Sequence, residues 1–140
     1  MKHKNRKWPL LIALVGAIFL AGCSGSSGPV QVVANPFTGR YSGTFTQGIL
    51  TFTVDNQGRI TATVTQGATT LNATGTVDSG GQITIRTTGG GFSDIFTGTL
   101  SFQGGRIVGS GTYTSCPVCF PPDPCPGAPC LIGTWSTQQI

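Results

Sequence analysis

The chain has 140 residues, a formal net charge of +4 and only 9% charged residues. Lys2, Lys4, Arg6, Lys7 and the single histidine, His3, all lie in the first seven positions, so residues 23–140 carry four Arg against four Asp and no Lys, His or Glu. This balance leaves no basic surface for nucleic acid and no histidine to activate a Ser, Thr or Cys nucleophile, and it restricts acid or base chemistry to Asp55, Asp78, Asp94, Asp123, Tyr41 or Tyr113.

In chain order, the basic head MKHKNRK is followed by WPLLIALVGAIFLAG, an apolar run of 15 residues that stops at Cys23. The run is short of the roughly 20 apolar residues a membrane-spanning helix needs, and its shape is that of a secretory signal. Leu20-Ala21-Gly22-Cys23 resembles the lipobox of bacterial lipoproteins. The resemblance covers residues 1–24. It implies that 1–22 is a signal peptide and that Cys23 is the lipidation site: the thiol takes a diacylglycerol, the chain is cut before it, and the new amino group is acylated, palmitate being the expected type of chain. Ser24 in place of Asp is similar to the pattern that permits transfer to an outer membrane. The resemblance thus implies a lipid-anchored protein of the bacterial cell envelope, in the outer membrane where there are two. Residues 23–38 read as a flexible, lipidated tether that spans about 50 Å when extended.

From residue 39 onward apolar and polar residues alternate with period two and no stretch has helical period. The pattern predicts eight strands, at 40–46, 49–55, 59–65, 70–78, 82–88, 95–103, 106–115 and 131–138. A Gly-polar-apolar triplet recurs at 58–60, 81–83 and 105–107, one hairpin per repeat. A two-residue loop at Gln47-Gly48 would pair Phe45 with Leu50, Gly43 with Phe52 and Tyr41 with Val54. Loops ending in Gly58 and Gly81 pair Val54 with Ile60 and Val77 with Ile83, and a two-residue turn at Gly104-Gly105 pairs Phe102 with Ile107.

The row facing inward is then large and apolar, interrupted by Gly43, Gly75, Gly98, Gly109, Gly111 and Gly133, while the outward row is mostly Thr and Ser, which are β-prone and soluble. With no helix to cover the apolar face, the economical architecture is all-β: a single eight-stranded antiparallel up-and-down meander β-barrel over residues 39–140, its last strand paired with its first. In architecture it resembles avidin-like and lipocalin-like barrels, and Gly39-Arg40-Tyr41 is similar to the Gly-x-Trp that opens a lipocalin; neither biotin nor lipid binding carries over. The inward glycines either coil the sheet and admit rings or leave a small cavity with Tyr41 and Tyr113 as polar handles beside Trp135. The turns at 56–58, 79–81 and 104–105 share the end at which the first strand begins. The far rim carries the Gly89-Gly90-Gly91 loop, Phe92 and Phe120 as candidate contacts.

Residues 115–130, SCPVCFPPDPCPGAPC, hold four of the five cysteines. Cys-x2-Cys fits a zinc ligand pair, but an extracytoplasmic address favours oxidation and Cys23 leaves an even four. Placing Tyr113 opposite Gly133 brings Cys116 to Cys130 and favours bridges 116–130 and 119–125, in a disulfide-tied loop before the last strand. No metal and no cofactor is expected. The first functional expectation is a non-catalytic binding or structural barrel that presents its distal loops to a protein, glycan or small ligand. The alternatives are an inhibitor of secreted hydrolases (lysozyme or protease) working through the rigid loop, and a thiol oxidoreductase using Cys116-Pro117-Val118-Cys119, which resembles glutaredoxin-like Cys-Pro-x-Cys in spelling.

Overall fold

A computed structural model describes residues 33–120, 123–124 and 127–140. These belong to one compact unit, Val32–Ile140. Residues 1–32, with the signal peptide, the lipobox and Cys23, lie outside the described residues.

Alternating apolar and threonine side chains make every long element a strand. They are β1 (Gly39–Phe45), β2 (Gly48–Val54), β3 (Arg59–Gln66), β4 (Thr69–Val77), β5 (Gln82–Thr88), β6 (Phe92–Gln103), β7 (Arg106–Phe120) and β9 (Leu131–Gln139), with a two-residue β8 (Asp123–Pro124) between the last two. The sheet order is β6-β5-β4-β3-β2-β1-β9-β7-β8, and β6 also pairs with β7. Every pairing is antiparallel, so the eight long strands close into an up-and-down barrel without helices. Closure of the last strand on the first puts Phe45 opposite Trp135 and Ser42 opposite Gln138. The short β8 folds back on the end of β7.

Several predicted registers hold. Val54 lies opposite Ile60, Val77 opposite Ile83, Phe102 opposite Ile107 and Tyr113 opposite Gly133. The first hairpin differs: its turn is Thr46-Gln47, and Phe45 faces Gly48, Gly43 faces Leu50 and Tyr41 faces Phe52. The shift is two residues, so the buried face is unchanged. Its cause is Gly48, which serves as a strand residue; a Cβ there would strike the Thr65 carbonyl. Strand β6 begins three residues before the predicted start and β7 runs five residues past the predicted end, because their ladder continues to Phe92 opposite Pro117. Val118 N–H then donates to the Gly91 carbonyl (2.8 Å).

The inner row forms the core, with Tyr41, Leu50, Phe52, Val54, Val64, Ile85, Phe96, Leu100, Tyr113 and Trp135 all fully buried. Phe102, predicted to face inward, sits at the barrel's end and remains 63% exposed. The inward glycines are explained by close approach. At Gly43, Gly75, Gly98 and Gly111 a Cβ would strike a carbonyl of the neighbouring strand, and at Gly98 it would also come within 2.7 Å of the Trp135 ring. Gly98 and Gly111 face each other across β6 and β7. The indole of Trp135 occupies the room they leave, its Nε1–H shared between the carbonyls of Thr97 (3.0 Å) and Thr112 (3.1 Å).

Candidate functional site

The two ends of the barrel differ in chemistry. At the base, where β1 begins, Asp55 and Asp78 organise equivalent turns. Asp55 Oδ1 accepts the N–H groups of Gln57 and Arg59 (2.9 Å each), and Asp78 Oδ1 those of Gly80 (2.9 Å) and Gln82 (2.8 Å). The turn glycines Gly58 and Gly81 have φ of 78° and 85° and receive the N–H of Val77 and Leu100 on their carbonyls (2.8 Å each). Asn35 N–H donates to the Asn56 carbonyl (2.9 Å) and Asn35 Nδ2 to that of Val77 (3.1 Å). These bonds place Phe37 in the core, stacked on Phe102 with centroids 5.5 Å apart. Residues 35–38, which read as tether in the sequence, therefore seal the base. Tyr41, expected to be a polar handle in a cavity, instead donates its hydroxyl to the Phe37 carbonyl (2.6 Å) within this seal. Burial pushes its pKa up from 10.0 to about 12.

The opposite rim is open and polar. Phe45, Phe96 and Tyr113 form a triangle of rings with centroids 5.0–5.6 Å apart. One rung above them, Asp94 lies opposite Ser115, and Ser115 lies opposite Leu131. Asp94 and Ser115 are buried, 1% and 3% exposed. The Asp94 N–H donates to Thr87 Oγ1 (3.0 Å), but among the described residues neither carboxyl oxygen of Asp94 has a hydrogen-bond donor, and Gln66 Nε2 is likewise buried without a partner. Above this shelf is a cleft of about 290 Å³ lined by Gln47, Gln66, Gly67, Phe92, Ser115 and Leu131. Phe92 is half exposed at its edge. Larger clefts lie elsewhere among the described residues, about 390 Å³ along the wall at Gly43 and Gly109, about 440 Å³ outside the base near Asn56 and about 310 Å³ at Thr74 and Arg86. The rim cleft is lined by Ser115, which lies opposite the buried Asp94 in the β6–β7 ladder, and for that reason it is the candidate site.

Of the residues singled out in the sequence, Tyr113 and Phe92 lie at this end, as floor and edge. Trp135 lies against the wall with its N–H already bonded to backbone. The side chain of Phe120 is outside the described residues. Cys116 and Cys130 are joined in a disulfide with Cα atoms 4.3 Å apart, and their neighbours Ser115 and Leu131 line the cleft. Cys119 is also disulfide-bonded, while Cys125 falls outside the described residues. With Cys116 bound to Cys130, the Cys116-Pro117-Val118-Cys119 dithiol of an oxidoreductase is not formed. Among the described residues no three His, Cys, Asp or Glu side chains converge as metal ligands. Sequence reasoning offers Asp94 only as a possible acid or base and does not single out Ser115 or Gln66, although each continues an inward row: two before Phe96, two after Tyr113 and two after Val64.

No protein-family model and no curated protein sequence matches the chain. Solved structures do resemble it. A low-affinity mutant of shwanavidin superposes with a TM-score of 0.54 at 18% identity, over 76% of this chain and 98% of that one. Apo shwanavidin gives 0.53 at 17% over 74% and 99%, and a rhizavidin–biotin complex 0.52 at 14% over 74% and 93%. At these identities the likeness establishes an avidin-like barrel fold.

Proposed function

We propose that this chain is a lipid-anchored protein of the bacterial envelope whose barrel binds a small ligand at its open rim and catalyses no reaction. The observation that carries the binding reading is the rim cleft lined by Ser115 and Gln66, with buried Asp94 opposite Ser115, in a barrel whose base is sealed by Phe37 and whose middle is filled by rings. Apolar walls with a few convergent polar groups are what a small-molecule site requires. The solved neighbours support the same reading, since rhizavidin is seen in complex with biotin. A protein or glycan partner has no comparable feature in its favour among the described residues.

The anchoring part rests on Leu20-Ala21-Gly22-Cys23. With two or three acyl chains the attachment would be stable. Placement in an outer membrane rests on Ser24. The test is mass spectrometry of the protein recovered from its own envelope, under native and denaturing conditions. An N-terminal acylated Cys23 and a retained small molecule are the expected results. A chain that begins at Met1 without acyl groups would refute the anchor, and a rim unaltered by any extract of small metabolites, followed by NMR, would refute the site.

A further inference from the structure

We propose that the rim site receives a small, flat organic cation of the amidinium or guanidinium class, with paired N–H groups directed at Asp94. This rests on the reading of the rim as a ligand site and adds the ligand's chemistry. The starting point is the different fates of the aspartates. Asp55 and Asp78 each accept two backbone N–H groups in exposed turns. Asp94 is 1% exposed, and both of its oxygens lack a donor. A carboxylate in that position lowers stability unless donors are supplied, so its presence there calls for a reason other than packing.

Among the described residues none supplies a counter-charge at this site. Its cations in the described region are Arg40, Arg59, Arg86 and Arg106, all on exposed positions. A metal ion would need several ligands, and among the described residues no three His, Cys, Asp or Glu side chains converge. An anionic ligand would be repelled. A planar fork of two N–H donors matches the two oxygens of one carboxylate, and the charge assistance of such a pair grows where water is excluded. The surroundings suit a flat ligand: the rings of Phe45, Phe96 and Tyr113 lie one rung below, and Phe92 is at the edge for ring contact with a cation. The Ser115 hydroxyl is the neighbouring polar group on the same rung.

The experiment titrates the purified full chain with four probes, benzamidine, the uncharged benzamide of the same shape, benzoate and biotin, and follows heat and backbone NMR shifts. Benzamidine should bind and move the resonances of Ser93 to Phe96 and of Ser115, whereas benzoate should do nothing. Asp94→Asn should weaken benzamidine at least about tenfold while its melting temperature equals or exceeds that of the parent. Ser115→Ala, a milder change, should weaken it about fivefold. Benzamidine that fails to bind, that binds Asp94→Asn as well as the parent, or that benzamide matches would overturn the proposal. If the rim resonances respond to benzamide or biotin and not to benzamidine, the cation is wrong but the rim is still a binding site. If they respond to none of the four, the cation is again wrong, and the binding reading then stands or falls with the retained ligand sought by native mass spectrometry.

Discussion

Tyr41 and Asp94 show how much a residue's position along the barrel decides its work. Both belong to inward rows, yet Tyr41 is bonded to the Phe37 carbonyl and Asp94 has no donor. Because burial holds the Tyr41 pKa at about 12 against 10.0 ordinarily, the folded chain keeps a proton that the unfolded chain loses. The stabilisation is therefore complete below pH 10.0 and is lost as the pH rises towards about 12. Phenolate absorbance should contain a component that ionises near the upper value, and Tyr41→Phe should remove that component and cost about 1 kcal/mol in denaturant unfolding. At Gly98 a methyl group would meet the Ser110 carbonyl and the Trp135 ring. Gly98→Ala is accordingly expected to lower stability by about 1–3 kcal/mol and to shift Trp135 fluorescence. The polar rim was readable in principle, since parity alone puts Asp94, Ser115 and Gln66 inside. Sequence reasoning does not single it out because the Gly89–Gly91 run suggests a loop up to Asp94 and the cysteines suggest one after Ser115, so the predicted strands stop at Ser115 and one residue short of Asp94 and Gln66. That Asp94 is left without donors depends on what faces it across the barrel, and no local pattern encodes that.

At the level of the hairpins, the sequence was most legible where a turn has its own chemistry. The Asp55 and Asp78 turns repeat 23 residues apart with the same bonds, and Gly104-Gly105 supplies two successive positive φ values, 56° and 81°. The first hairpin was less legible because its glycine serves the neighbouring strand and not the turn. Asp78→Ala should cost about 1–2 kcal/mol by removing two N–H bonds from one carboxylate, measurable as a lower urea midpoint. The loop before β9 was legible through register: Tyr113 opposite Gly133 brings Cys116 to Cys130. Replacing both with Ser should cost about 3 kcal/mol by the chain-entropy estimate. Since Ser115 and Leu131 adjoin the bridged residues, the same double variant should also weaken any ligand held at the rim. Unchanged stability on reduction would show that the ladder of β7 and β9 holds the loop without help.

Across the whole barrel, the boundary between tether and domain is the largest difference between sequence and structure. A Gly/Ser-rich approach to β1 looked like linker throughout, yet Asn35 and Phe37 are tied to turns from two other hairpins. Such contacts are set by distant residues and leave no periodic trace. Relative to a chain starting at residue 33, one starting at residue 39, or carrying Phe37→Ala, should lose about 3 kcal/mol. The pairing of β1 with β9, Ser42 beside Gln138, also bears on how the barrel is made. A chain that emerges N-terminus first must expose the free edge of β1 until its final residues have appeared. Closure therefore comes last and joins segments far apart in sequence, which is the slow kind of folding. Until then the edge is open to other chains. A short deletion at the C-terminus, harmless to every earlier hairpin, would turn a closed barrel into an aggregating sheet.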